Sequence, residues 1–180
     1  DADDRALLAE AAHKAIADAA AKGHEAVDAV LAEIGWRELL QAEPRTALDV
    51  VFGALGATGG AATALDDVVA SALGVEPRAD LGVLLPPFGA WHAPGCAGGA
   101  RVQASGLTTA RVAAAREILV VYAAGTDLWR VAVPVSAVDA TVVRGVDPDA
   151  GYRSVRAEID AAGATRLDAA AWESAVALGR

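Results

Sequence analysis

The chain has 180 residues, 54% of them hydrophobic and 22% charged, enough apolar material for one large or two small globular domains and too much for a disordered chain. Its formal net charge of −9 argues against nucleic acid or an anionic membrane surface as the main partner, while leaving room for a local basic pocket. The single cysteine, Cys96, rules out an internal disulfide, and its flanks from Pro94 to Gly99 read as a flexible loop.

The first eighty residues read as helices. An acidic stretch at Asp1–Asp4 suits the first helix start, Leu8, Ala12, Ala15 and Ile16 form its apolar stripe, and Gly23 ends it. Val27, Val30, Leu31 and Ile34 follow the i, i+3, i+4, i+7 spacing of a second helix, ended by Gly35. Trp36 opens a short segment through Leu40, broken before Pro44. Leu48, Val51, Phe52 and Leu55 mark the third full helix; Leu65, Val68, Val69, Ala72 and Leu73 mark the fourth, which stops at Gly74. Each face could bury enough apolar surface to build a bundle.

After Pro77 the period changes. Strands are expected at Val83–Leu85, Arg101–Ala104, Ile118–Ala123, Leu128–Val133, Ala140–Val143 and Val155–Ile159, all short and bounded by turn formers. Val131, Val133 and Val135 alternate with Ala132 and Pro134, as in a half-buried strand that leaves its sheet at proline. Their spacing suits a small barrel or sandwich, and a fresh helix begins at Asp168. The expected fold is therefore α+β: a helical bundle domain at 1–78, a small antiparallel β-barrel or sandwich domain at 79–167, and the start of a further helix at 168–180.

No apolar stretch approaches the ~18 residues of a membrane span. The longest candidate, Leu81 to Trp91, is broken by Pro86 and Pro87, no basic segment precedes an apolar core, and a cytoplasmic location is expected. The chain holds no methionine, so it is expected to be processed or trimmed.

Residues that could carry chemistry are few. Glu10 and His13 share a helix face, but the second such pair that a di-iron bundle needs is absent, so no metal is expected. Neither a dinucleotide fingerprint nor a P-loop occurs, and Gly53, Gly56, Gly59 and Gly60 read as cap and turn between two helices. No nucleophile elbow occurs, neither His13 nor His24 has an obvious nucleophile partner, and His92 could touch a ligand but reads as an ordinary loop histidine, so nothing supports hydrolase chemistry. Arg101, Arg111, Arg116, Arg130, Arg144, Arg153 and Arg156 are the basic candidates for a phosphorylated ligand. More distinctive is Leu84–Gly89, a strand running into two prolines, an aromatic and a glycine: a rigid, partly apolar lip that could floor a flat ligand or simply be a strand exit.

Several passages, taken together, resemble the acyl-CoA dehydrogenase family. Gly35–Trp36, Leu39–Leu40 and Pro44 resemble its "GW..LL…P" passage, and Ala64–Val69 through Gly74 resembles the helices before its β domain. Glu117–Tyr122 and Val131–Pro134 resemble two strands of that domain, and the run from Trp172 resembles the opening of the helical domain that follows. The resemblance implies a subunit of a flavin-dependent enzyme that dehydrogenates an acyl-CoA thioester at its α,β bond, with homologous subunits as partners and FAD as cofactor, shared with or held by a partner. The family's two flavin-binding stretches fall on Leu85, Pro87 and Gly89 and on Thr108 and Thr109, without the family's acid and tryptophan. Its catalytic glutamate lies in the domain that would follow, so no catalytic residue is assigned here. The divergence most resembles partner subunits of heteromeric enzymes, such as those acting on steroid-derived thioesters. The alternative is a non-catalytic structural or regulatory subunit of the same fold that has lost flavin binding.

Overall fold

The computed structural model describes residues 2–99, 101–145 and 150–178, with side chains described from residue 6. The expected acidic cap at Asp1–Asp4 lies outside the described side chains. The chain divides into two compact units, Asp1–Ala64 and Leu65–Arg180.

In the first unit, α1 (Ala2–Ala20), α2 (His24–Glu33), α3 (Trp36–Ala42) and α4 (Pro44–Thr58) follow the apolar stripes of the sequence. Pro44 sits in the first turn of α4, where its missing N–H costs nothing. Ile16, Val27, Trp36 and Val51 are fully buried, each contributing about 1.5–3 kcal/mol, and Trp36 meets Phe52 edge-on at 6.2 Å. Thr63 donates from its amide (2.8 Å) and its hydroxyl (2.9 Å) to the Asp28 carboxylate, tying the segment after α4 to α2. Gly53 and Gly56, expected in a turn, lie inside α4; only Gly59 takes the left-handed cap position. The apolar spacing around them was strong enough to carry the helix through both glycines.

In the second unit, α5 (Ala64–Ala72) and α6 (Ala169–Leu178) accompany β1 (Leu81–Val83), β2 (Gly95–Gly98), β3 (Arg101–Thr108), β4 (Glu117–Ala124), β5 (Asp127–Pro134), β6 (Asp139–Val142), β7 (Arg153–Asp160) and β8 (Thr165–Leu167). Among the described residues the strands form one eight-stranded sheet in the order β6-β7-β3-β2-β4-β5-β8, with β1 also on β4. The sheet is open, so the barrel expectation is corrected to a folded open sheet. It is not wholly antiparallel either, since β1 and β2 both pair with β4 in parallel. Pro134 ends β5, as its alternation predicted.

The centre of the unit is β4, where Ile118, Leu119, Val120, Val121 and Tyr122 are all buried. A strand covered on both faces reads as a continuous apolar run. Ile118, Val120 and Tyr122 pack with Val102, Val131, Val133, Val155 and Ile159, while Leu119 and Val121 pack with Val69 of α5, Leu73 just after it, and Trp172 and Ala175 of α6. The Cys96 segment, expected as a flexible loop, is β2, registered between Ala104 of β3 and Tyr122 of β4 at Gly95. Backbone pairing overrode its glycine-rich composition.

Candidate functional site

The site is built where one edge of β4 changes partner. β1 pairs with Glu117–Leu119, and β2 returns to the same strand at Tyr122–Ala123. Between them the chain must leave the sheet. The Leu84 amide still donates to Leu119 O (2.9 Å), but Leu85 turns to β3 and exchanges two backbone bonds with Leu107, at 2.7 and 2.9 Å. Gly106 permits this, because a Cβ there would overlap the Leu85 carbonyl oxygen. Pro86 and Pro87 then stiffen the exit, and the Ala90 amide donates to Pro87 O (2.9 Å) across a turn whose third residue, Gly89, has φ +78°. That left-handed φ is the type II requirement that glycine meets without strain.

This lip encloses an apolar pocket of about 160 Å³ within the second unit. Leu85, Pro87 and Gly89, expected from the sequence, all line it; the facing walls are Leu65 and Val69 of α5, Leu107 of β3, Tyr152, and Trp172 and Val176 of α6. Phe88, 75% exposed, and Trp91, 51% exposed, stand at its rim. The Phe88 and Tyr152 rings meet edge-to-face at 5.7 Å. Asp168 caps α6 by accepting from the Ala170 amide (2.9 Å), and Trp172 Nε1 donates to Trp91 O (3.3 Å), joining α6 to the lip.

Behind the α5 wall lies a buried polar cluster. Asp66 accepts from the Val83 amide (2.7 Å) and from the Thr109 hydroxyl, and Arg111 Nε lies 4.0 Å away. Asp67 forms a two-pronged pair with Arg111, at 2.5 and 2.9 Å, and all four side chains are buried. Burial pushes the Asp66 carboxyl up to about 6, against the opposing pull of Arg111, Thr109 and the Val83 amide. The cluster pins α5 to β1 and to the 3₁₀ turn at Ala110–Ala113, which holds Leu65 and Val69 against the lip. Arg111 is thereby fully engaged, and among the other arginines Arg101 pairs with Glu158 at 3.6 Å. The sequence reading did not single out Asp66, Asp67 or Tyr152; two adjacent carboxylates in an apolar helical stripe were the one available signal.

The two expected flavin-binding stretches meet at the Leu85–Leu107 bridge, but only the first of them lines the pocket. Thr108 and Thr109 do not line the pocket: Thr109 is committed to Asp66 and to the Arg111 amide, and Thr108 is fully buried with no partner for its hydroxyl among the described residues. On the lip, the Leu85 amide is spent on Leu107, and Pro86 and Pro87 have none to offer. The pocket is also small against the roughly 300–1,000 Å³ of typical ligand sites. These residues do not fit a flavin ring system, which demands several polar donors along its edge. Among the described residues no His, Cys, Asp or Glu cluster could hold a metal ion.

No protein-family model matches the chain, and no curated protein matches it in sequence. Solved structures do. A variant of the Tcur3481–Tcur3483 steroid acyl-CoA dehydrogenase matches 98% of this chain with a TM-score of 0.71 at 16% identity. The ChsE4–ChsE5 complex from Mycobacterium tuberculosis matches 97% with a TM-score of 0.57 at 17% identity. XiaF from Streptomyces sp., solved with FADH2 and glycerol, matches 93% with a TM-score of 0.50 at 18% identity. The chain spans 60%, 59% and 50% of the length of those chains. Along nearly all of its length, this chain shares the fold of the matched part of the Tcur3481–Tcur3483 steroid acyl-CoA dehydrogenase and of the ChsE4–ChsE5 complex.

Proposed function

We propose that this chain is a subunit of a heteromeric flavin-dependent acyl-CoA dehydrogenase that acts on an acyl-CoA thioester, including steroid-derived ones, beside a homologous subunit. The observation that carries the reading is the apolar pocket under the Leu85–Trp91 lip, in a chain with this fold. In this proposal residues 1–78 and 79–167 correspond to the helical and β domains of such a subunit. In this proposal the partner subunit holds most of the flavin, which would supply the hydride acceptor. The chain's own residues form an apolar, water-excluding wall for the acyl group, with α5 held in place by Asp66 and Asp67.

A second reading, a structural subunit that binds no flavin, is favoured by the burial of Thr108 and by the Thr109–Asp66 bond. One experiment separates the two. The chain is co-expressed with a candidate partner subunit, and visible flavin absorbance is measured for the complex and for the chain alone. The dehydrogenase reading expects a yellow complex that reduces on adding an acyl-CoA, and a colourless chain alone. A stable complex that stays colourless after FAD is added supports the structural reading.

A further inference from the structure

We infer that the pocket under the lip seats one six-membered carbocyclic ring with a hydrogen-bond acceptor at its edge, and that Tyr152 reads that oxygen. The inference deepens the reading of this pocket as part of an acyl-binding wall.

Size argues for one ring. A dry cavity of about 150 Å³ lined by Leu, Ile and Phe holds benzene. The pocket here is about 160 Å³ with a similar apolar lining, so it takes one ring and not three fused ones. Its open side lies at Phe88 and Trp91, whose exposure leaves a path for the rest of a longer ligand. Apolar walls without a polar handle would fix depth but not orientation.

Tyr152 supplies the handle. Among the described residues of the lining it is the one with a hydroxyl. Its backbone is fixed by the Val143 amide, which donates to Tyr152 O at 3.0 Å, and its ring by the edge contact with Phe88. Burial first, and then the charge of Asp66, raise the proton affinity of the phenol, so it stays a donor at neutral pH. A ketone or ether oxygen at the ring edge is the complementary group.

The test uses the isolated chain, with no flavin or thioester, so it can fail independently of the dehydrogenase reading. Cyclohexanone and methylenecyclohexane have nearly the same shape and differ in the acceptor oxygen. Saturation-transfer NMR titrations should show saturable binding of both, with cyclohexanone about fivefold tighter than its poorer transfer from water into an apolar site allows. Tyr152→Phe should abolish that preference while retaining binding. Val176→Phe, which fills the pocket from α6, should remove both ligands, and Ala90→Leu on the lip should do the same if the helix variant fails to fold. The inference is overturned if neither probe saturates the folded wild-type chain. It is equally overturned if folded filled variants bind as before, or if Tyr152→Phe keeps the oxygen preference.

Discussion

The Thr109 hydroxyl donates to Asp66 across 43 residues of sequence, and this buried bond fastens helix α5 to the turn after β3. Asp66 carries its proton more readily in the folded chain than in the unfolded one, with a carboxyl raised from 3.8 to about 6 by burial. A raised folded value means that its contribution is fully present below about pH 4 and is lost as pH rises through 6. A shift of roughly two pH units corresponds to about 3 kcal/mol. Asp67, Arg111 and Tyr152 are the charged and titratable neighbours that interact with it. Stability of the wild type relative to Asp66→Asn, from urea unfolding, is therefore expected to fall by about 2–3 kcal/mol between pH 4 and pH 7. A rise over that interval would contradict the burial argument.

The neighbouring pair behaves differently. Asp67 and Arg111 are both buried and bonded in two places, so removing one partner strands the other charge away from water. Arg111→Ala is expected to cost about 3–5 kcal/mol, and the double variant Asp67→Leu/Arg111→Met much less. Thermal unfolding of the three proteins checks this. Equal losses in the single and double variants would show that the cost lies in packing and not in the stranded charge.

How far the sequence reached follows from what each signal measures. Hydrophobic spacing located the helices and the β4–β5 hairpin because those elements bury one or both faces over many residues. It did not locate β2, whose Gly95–Gly98 run is held by backbone bonds to β3 and β4 and carries almost no apolar side chain. The lip was visible as two prolines and a glycine, since those residues restrict the backbone locally. Asp66 and Asp67 were not, because their partners Val83, Thr109 and Arg111 are set by the tertiary fold. The pairing of Tyr152 with Phe88, 64 residues away, is likewise a product of sheet order.

Gly106 gives a direct handle on the lip. Gly106→Ala pushes a methyl into the Leu85 carbonyl and should break the Leu85–Leu107 bridge. The expected cost is about 1–3 kcal/mol, as for overpacking elsewhere. Hydrogen exchange at the Leu85 and Leu107 amides should accelerate relative to the β4–β5 hairpin. Unchanged protection at both amides would mean that the lip does not depend on this close approach.

Two glycines with opposite roles make the last prediction. Gly89 holds φ +78° in the lip turn, and any Cβ there is strained whatever the surrounding space. Gly89→Ala is expected to destabilise by about 1–2 kcal/mol, the cost of a left-handed alanine. Gly53 lies inside α4 with a helical backbone, exposed, with nothing within 4 Å of an added Cβ. Gly53→Ala should therefore stabilise by about 0.5–1 kcal/mol, because alanine loses less backbone freedom than glycine on entering a helix. Urea unfolding of both variants reads the two signs. If Gly53→Ala destabilised instead, α4 would have to break at Gly53, and the continuous helix from Pro44 to Thr58 would be wrong.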